Sequence, residues 1–260
     1  MSGEVILKIL QLVLVPFVFV ALIIPYIVKL ANKVGAIDVP RGERHNHSKV
    51  TPKLGGLGIF LGFLLGYMLF GTHSVQMNSI LIASFIIVLM GIFDDIVEFK
   101  PGIQLITQII AATIIAVYGG ILLQDIDAFG IYINFGIFAY PLTILFIVGC
   151  INCINLIDGL DGLSGGISSI YYLTIGIIAT IKGSYGLDFI LTFTMLGATL
   201  GFLVHNFYPA KIFVGDAGTN FMGLIISVIA LLGFKNVTLT SLIIPLLILA
   251  VPILDTLLQY

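Results

Sequence analysis

Residues 152–166 read NCINLIDGLDGLSGG, a polar, glycine-rich stretch between two long apolar runs. Two amides and two carboxylates, at Asn152, Asn155, Asp158 and Asp161, recur at every third position. On a helical turn this spacing keeps the four side chains near one face. Their oxygens suit Mg²⁺ and polar ligands, and glycines such as Gly159 allow a backbone to approach a bulky ligand. The stretch therefore predicts a polar binding surface in an apolar chain.

The composition around this stretch is that of an integral membrane protein. Hydrophobic residues make up 59% of the chain, charged residues 9%, and the mean hydropathy is +1.19, which excludes an ordinary soluble domain. A bilayer span needs about 20 mainly apolar residues. We therefore predict an all-α membrane protein with one domain over residues 1–260 and about nine transmembrane helices, at 5–30, 54–70, 79–93, 103–123, 139–151, 167–181, 189–204, 221–233 and 239–258.

The placement of positive charge predicts the orientation of these helices. Eight of the eleven Lys and Arg residues, Lys49 and Lys100 among them, fall in or beside alternate loops. By the positive-inside rule these loops are cytoplasmic, which puts the N-terminus outside. No short apolar core followed by a small-residue cleavage site is present, so no secretory signal peptide is expected. The sequence predicts a multi-pass protein of the cell membrane.

The four polar cytoplasmic segments, at 31–53, 94–102, 152–166 and 206–220, carry acidic groups that can converge. Asp94 and Asp95 are adjacent, and neighbouring carboxylates repel unless a cation or a shared proton offsets the repulsion; a solvated pair at a helix end is the simpler interpretation. Asp216 lies in a GDAG turn, while Asn206 and Phe213 could supply a hydrogen bond and a stacking face for a nucleotide. Carboxylates, amides and lysines at a membrane edge favour Mg²⁺-assisted handling of a phosphate ester of a lipid.

Four segments together resemble a known family. NCINLIDGLDGLSGG, GIFDD, the basic loop leading into TPKLGG, and NFYPAKIFVGDAGTNF are similar to the successive cytoplasmic motifs of the polyprenyl-phosphate N-acetylhexosamine-1-phosphate transferases, of the glycosyltransferase family 4 type. The resemblance covers nearly the whole chain. It implies a membrane enzyme, a phosphoglycosyl transferase of lipid-linked glycan and cell wall biogenesis. Such an enzyme moves a sugar 1-phosphate from a UDP-N-acetylhexosamine to a polyprenyl phosphate at the cytoplasmic face and releases UMP.

The resemblance also implies roles for individual residues. Asp216 with Asn155 would coordinate Mg²⁺, with Mn²⁺ as an alternative, and Asp94 and Asp95 would bind or deprotonate the lipid phosphate. The substrate-binding residues implied by the resemblance, which would line the nucleotide pocket or meet phosphate or sugar, are Lys49, Lys100, Asn152, Asp158, Gly159, Asp161, Asn206 and Phe213.

Within the family, NLIDGLDGL with NFYPAKIFVGD looks closer to the branch that uses N-acetylglucosamine than to the branch that uses a muramoyl-pentapeptide nucleotide. The lipid would be undecaprenyl phosphate in a bacterium or dolichyl phosphate in an archaeon. No nucleic acid partner is expected, and a homodimer is left open.

Two other functions stay open, one of them because of a departure from the family pattern. Family members usually continue past PILDTLL into a loop with clustered histidines and at least one more span, both of which we expect this chain to lack. An incomplete homologue that acts as a binding or scaffold subunit is therefore one alternative. A secondary transporter is the other, although its ionisable residues would lie near the bilayer midplane rather than at one edge.

Overall fold

The computed structural model describes residues 3–39, 50–128 and 131–233 and shows a bundle of eight α-helices. Seven helical segments are long and apolar enough to cross a membrane, and α2, with 16 residues, is shorter. The ninth predicted span, 239–258, lies outside the described residues. The helices are α1 Gly3–Val34, α2 Gly55–Phe70, α3 Val75–Val97, α4 Pro101–Thr113, α5 Ala139–Ile157, α6 Leu163–Lys182, α7 Leu187–Asn206 and α8 Gly215–Gly233.

Three short elements connect these helices. Strand β1, Ile37–Asp38, pairs antiparallel with β2, Thr51–Pro52. Helix α4 continues into a π-helical turn, Ile114–Tyr118. Between α4 and α5, β3, Asp125–Ala128, and β4, Ile131–Asn134, form an antiparallel pair in which Asp125 lies opposite Asn134.

Helix α1 contains Pro16 and Pro25. A side chain of α7 contacts α1 where Pro25 interrupts the backbone hydrogen bonds of α1. Pro25 has no N–H, so the carbonyl of Ala21 loses its usual partner four residues along the helix. The Nε2 atom of His205, near the end of α7, lies 2.9 Å from this oxygen. Because a carbonyl only accepts, His205 must donate here. A side chain of another helix thus satisfies the freed carbonyl, as membrane burial requires.

Helices α7 and α8 form the centre of the bundle and are buried on nearly all sides. Glycine allows the close crossings around them. A Cβ atom on Gly56 of α2 would collide with the backbone of Gly218 in α8, and one on Gly197 of α7 would collide with the carbonyl of Val13 in α1. Small residues of this kind let membrane helices approach to backbone contact. The contact at Gly56 brings the starts of α2 and α8 together.

Hydrogen bonds across the bundle join the ends of α3, α5 and α7 to the starts of α4, α6 and α8. We call the end of the bundle where these bonds lie the site end, and the other end of the bundle the opposite end. The polar residues predicted to lie in loops continue the helices instead. Asp94 and Asp95 belong to α3, Asn155 to α5, and Asp216 to the first turn of α8. Hydropathy marks only the apolar part of a helix, so the predicted spans end too early where polar side chains find partners on neighbouring helices.

Candidate active site

A cavity of about 480 Å³ opens at the site end between five segments of the chain. It is bounded by the β1 and β2 region, the last turn of α3, the α5–α6 connection, the α7–α8 connection and the start of α8. The wall is mainly polar and rich in carboxylates. Its lining residues are Asp38, Lys53, Asp95, Asn155, Asp158, Gly159, Leu160, Asp161, Asn206, Tyr208, Phe213, Gly215, Asp216 and Thr219.

The segment before α2 and the segment before α8 are joined by backbone hydrogen bonds. The N–H of Phe213 donates to the carbonyl of Pro52 at 2.7 Å, and the N–H of Gly55 donates back to the carbonyl of Phe213 at 2.9 Å. The N–H of Gly56 donates to the carbonyl of Val214 at 2.8 Å. Two of the motifs found in the sequence, TPKLGG and the segment leading into GDAG, therefore form one structural unit.

Asp95 caps the first turn of α8. Its Oδ1 accepts the N–H of Asp216 at 3.0 Å, and its Oδ2 accepts the N–H of Ala217 at 3.3 Å. The first N–H groups of a helix have no partner within the helix, and a carboxylate also interacts favourably with the helix dipole there. Gly215 has a φ of 70°, and a Cβ atom on it would collide with Asp95 and with the carbonyl of Lys53. The turn therefore requires glycine, and Asp95 fixes where Asp216 begins α8.

Asn155 connects α5 to the carboxylate of α8. Its Nδ2 donates to Oδ1 of Asp216 at 2.7 Å and to the hydroxyl of Thr219 at 3.1 Å. Asn155 and Asp216 are 61 positions apart in the chain. The pair that the family resemblance assigned to a metal site is thus in direct contact, with only oxygen atoms available as ligands.

Asp94 lies behind this pair, with only 5% of its surface exposed. Its Oδ1 accepts the N–H of Phe99 and its Oδ2 accepts Nε2 of Gln104, both at 2.6 Å. The carboxyl groups of Asp94 and Asp216 are within hydrogen-bonding reach of each other. Two carboxyl groups this close need a shared proton or a cation between them.

The two connecting loops at the site are tied together by side chains. Oδ2 of Asp161 accepts the N–H of Ala210 at 2.9 Å. Oδ1 of the buried Asn206 accepts the N–H of Gly162 at 3.0 Å, and its Nδ2 donates to the carbonyl of Ile212 at 2.9 Å. The amide of Asn206 is therefore satisfied within the protein, so this residue shapes the cavity by holding its loops.

Asp158 ends α5 and has a raised proton affinity. Burial raises the pKa of its carboxyl to about 7; a hydroxyl hydrogen bond from Ser164 at 2.6 Å opposes the rise, while the negative charges of Asp216 and Asp161 add to it. Near neutral pH this carboxyl is therefore partly protonated.

The structure places most of the residues that the sequence analysis grouped at one cavity, and a few of them elsewhere. Asp95, Asn155, Asp158, Gly159, Asp161, Asn206, Phe213 and Asp216 line the cavity, and Asp94 lies directly behind it. Lys100 is exposed at the start of α4 and is not among the lining residues. Lys49 lies outside the described residues.

Asn152 does not lie on the cavity face that its spacing predicted. Its Nδ2 donates to the carbonyl of Val148 and to Oε1 of Gln108 on α4, both at 2.8 Å. A three-residue step falls short of the 3.6-residue helical turn, so successive residues at this spacing rotate by about 60° around the helix. Between Asn152 and Asp158 this rotation moves the side chain from α4 to the cavity.

Several cavity residues were missed by the sequence analysis. Lys53 is the only Lys or Arg among the described residues that line the cavity, and its position within TPKLGG was the available signal. Thr219 lies one helical turn after Asp216, a spacing that would have placed it on the same face. Asp38 and Tyr208 gave no signal, because their approach depends on the β1–β2 pair and on the folded α7–α8 loop.

The chemistry of the lining favours oxygen ligation. Among the described residues, no group of three or more His, Cys, Asp or Glu side chains is placed to hold a metal ion without further ligands. A cation at Asp216 and Asn155 would therefore share its coordination with substrate or water.

Comparisons with known proteins agree with the motifs. Residues 77–234 match the model of glycosyl transferase family 4. A probable undecaprenyl-phosphate N-acetylglucosaminyl 1-phosphate transferase of Bacillus subtilis is 40% identical over 98% of this chain and 72% of its own length. A decaprenyl-phosphate N-acetylglucosaminephosphotransferase of Mycobacterium tuberculosis is 30% identical over 76% of this chain. A phospho-N-acetylmuramoyl-pentapeptide-transferase of Prochlorococcus marinus is 32% identical over 82% of it.

The matched regions differ in extent among these relatives. The chain spans 54% of the length of the mycobacterial protein and 64% of that of the Prochlorococcus protein. The relative with the higher identity and the fuller coverage is named for N-acetylglucosamine 1-phosphate.

Proposed function

Because the chain belongs to glycosyl transferase family 4, we propose that it transfers N-acetylglucosamine 1-phosphate from UDP-N-acetylglucosamine to a polyprenyl phosphate. An oxygen of the acceptor phosphate attacks the β-phosphorus of the donor, a new P–O–P bridge forms, and UMP leaves with the former bridging oxygen. The observation that carries the proposal is the convergence of Asp94, Asp95, Asn155 and Asp216 from three helices on one cavity. The name and extent of the Bacillus relative support the choice of sugar.

The cavity can hold the polar part of the donor. Phe213 lies on the wall and offers a ring face for uracil, and Gly159 and Leu160 lie along the same wall. Lys53 faces a cavity that is otherwise acidic. A lysine there would bind the diphosphate and offset part of the repulsion between its charge and the carboxylates. The resemblance implied a contact with phosphate or sugar for Lys49 or Lys100. Among the described residues, Lys53 is the lysine placed to make this contact, and Lys49 lies outside them.

The donor set fits Mg²⁺, with Mn²⁺ as an alternative. Asp216 and Asn155 each carry side-chain oxygens that could ligate the ion; the two side chains are joined by the bond from Nδ2 of Asn155 to Oδ1 of Asp216, with Thr219 beside them. Mg²⁺ typically uses one or two protein carboxylates, waters and substrate phosphates, so a partial protein site suits it. When bound, the ion would neutralise charge on the diphosphate of the donor.

Two neighbouring aspartates, Asp95 on the cavity wall and Asp94 behind it, would orient the acceptor. Asp94 is placed to direct Asp216 and to take up a proton from an acceptor phosphate that arrives protonated. Asp95 lines the cavity, but both of its oxygens cap α8, so it acts by holding Asp216 in place. In this arrangement Asp95 supports the site and Asp94 is the candidate for proton transfer.

We place the site end at the cytoplasmic face. Lys29, Lys33, Lys53, Lys100 and Lys211 all lie at the ends of helices or in loops on this side, whereas Lys8 and Lys182 lie toward the other side. The positive-inside rule then orients the bundle. A donor nucleotide made in the cytoplasm would reach the cavity directly.

The proposal is tested by release of UMP. The purified chain is incubated with Mg²⁺, UDP-N-acetylglucosamine and a short-chain polyprenyl phosphate, and control reactions lack the lipid or contain EDTA. We expect UMP only in the complete reaction and a slower reaction with UDP-N-acetylmuramoyl-pentapeptide. UMP release that does not depend on the lipid would contradict the proposed reaction. A preference for the muramoyl donor would contradict the proposed sugar.

A further inference from the structure

Helix α4 carries two glutamines on one face of an otherwise apolar segment. Gln104 and Gln108 are four residues apart and therefore lie one above the other. Gln108 is only 3% exposed and Gln104 is partly buried. Amide side chains in such surroundings are costly unless their hydrogen bonds are satisfied. Each glutamine makes a hydrogen bond with a side chain of another helix, and the two partners differ in their position relative to the cavity.

Gln104 is bonded to Asp94. Its Nε2, which can only donate, lies 2.6 Å from Oδ2 of Asp94, so the amide is the donor and the carboxyl oxygen the acceptor. The N–H of Phe99 reaches the other oxygen of Asp94 at the same distance. Two donors on two different oxygens fix the rotation of the carboxylate as well as its position. A hydrogen bond to a charged group is among the stronger ones in a protein.

The orientation of Asp94 matters because its carboxyl group is within hydrogen-bonding reach of that of Asp216. Asp216 lines the cavity, whereas Gln104 does not. Gln104 therefore acts on the cavity only through Asp94. Its backbone belongs to α4, which contributes none of the lining residues.

Gln108 provides the contrast. Its Oε1 accepts Nδ2 of Asn152 at 2.8 Å, and Asn152 lies away from the cavity. The two glutamines thus make the same kind of bond from the same helix. One bond joins α4 to a carboxylate at the site, and the other joins α4 to the side of α5 that faces away from it.

We infer that Gln104 is a positioning residue for the transfer reaction and holds the Asp94 carboxylate in the orientation in which it meets Asp216. The expected effect of Gln104 on turnover rests on the proposed function. Its expected effect on the orientation of Asp94 rests on the described contacts alone. It assigns a functional role to the α3–α4 junction, beyond the residues that line the cavity.

The test compares Gln104→Met with Gln108→Met, since methionine matches glutamine in length and lacks the amide. We expect Gln104→Met to lower kcat about tenfold, with the KM for UDP-N-acetylglucosamine unchanged within about twofold. Gln108→Met should leave kcat within about twofold of the parent protein. An equal loss of kcat in both variants would show a merely structural role and overturn the inference, as would a normal kcat in Gln104→Met.

A second measurement does not depend on turnover. Hydrogen exchange at the amide of Phe99 reports its bond to Asp94. We expect faster exchange at Phe99 in Gln104→Met and unchanged exchange in Gln108→Met. If the parent protein released no UMP, the proposed function would fail, and faster exchange in Gln104→Met would still support the orienting contact. Unchanged exchange would overturn the inference whatever the turnover.

Discussion

Helix ends at the site and at the opposite end of the bundle are stabilised in different ways. At the opposite end two helix caps are local. Ser74 accepts the N–H of Met77 at the start of α3, and Gly183 ends α6 in the left-handed conformation. At the site end the cap of α8 spans the chain, since Asp95 lies 121 positions before Asp216. Local capping stabilises one helix, whereas long-range capping also fixes the position of one helix end relative to another.

This difference predicts where the loss of a polar side chain lowers stability alone and where it also lowers activity. A side chain that caps its own helix can be lost at a modest cost in stability. A side chain that joins two helices at the cavity also sets distances between groups that would contact substrate, and a displacement of about 1 Å can lower a rate severely. Matched substitutions at the two ends should therefore differ in activity more than in stability.

The largest difference is expected for carboxylates. Asp216→Asn should lower turnover about 10²- to 10³-fold, because it removes a charge from the proposed metal and diphosphate site. Asp125→Asn, in the exposed hairpin at the opposite end, should leave turnover within about twofold. Steady-state UMP release measures both. Normal turnover of Asp216→Asn with an unchanged response to Mg²⁺ would contradict the assignment of this site.

A smaller difference is expected for the two caps. Asp95→Ala and Ser74→Ala each remove a side-chain acceptor at a helix start, at a cost of about 1–2 kcal/mol in unfolding free energy. Turnover should fall about 30-fold only in Asp95→Ala, because only this cap positions Asp216. Thermal unfolding in detergent and UMP release measure the two quantities. Equal losses of activity in the two variants would remove the distinction between the ends.

Lysines at the two ends should differ in substrate binding. Lys53→Met should raise the KM for the UDP-sugar about tenfold, because one charge-assisted contact with phosphate is lost. Lys182→Met, at the end of α6 on the opposite side, should leave KM unchanged. Because Lys53 is partly exposed, we expect little change in the unfolding temperature of either variant. A normal KM in Lys53→Met would exclude the proposed phosphate contact.

The smallest effect is expected from the titration of Asp158. Burial raises the pKa of this carboxyl to about 7, above about 3.9 for an unfolded chain. The folded state therefore binds the proton more tightly than the unfolded chain does. The stabilisation of the folded state by this proton is full below pH 4 and is lost as pH rises through 7. Thermal unfolding in EDTA should show a smaller loss between pH 5 and pH 8 in Asp158→Asn than in the parent. Asp125→Asn serves as the control and should behave like the parent, and identical pH dependence in all three proteins would contradict the assignment.

The sequence predicted most of the helices because a membrane span leaves a long apolar run. It also predicted that Asp94, Asp158 and Asp216 lie on one side, since alternating spans return the chain to the same face. Both inferences depend on patterns within one segment or on the order of segments. The structure confirms a helix for each predicted span within the described residues.

Contacts between residues that are far apart in the chain leave no comparable pattern in the sequence. The capping of α8 by Asp95 and the bond from Gln104 to Asp94 depend on how α3, α4 and α8 pack. The three-residue repeat from Asn152 predicted a single face and failed for Asn152, because the α-helix rotates away from that spacing. Motifs therefore named many of the lining residues, but not the contacts by which Asp95 and Gln104 orient their neighbours.

The central claim is that the sugar leaves the donor together with a phosphate, and the fate of that phosphate tests it directly. UDP-N-acetylglucosamine labelled with ³²P at the β-phosphate is incubated with the chain, Mg²⁺ and a polyprenyl phosphate, and the lipid and aqueous fractions are separated. We predict that the label enters the lipid fraction in an amount equal to the UMP released. Label that remains in UDP would show transfer of the sugar alone, and label in inorganic phosphate would show hydrolysis; either result would contradict the account.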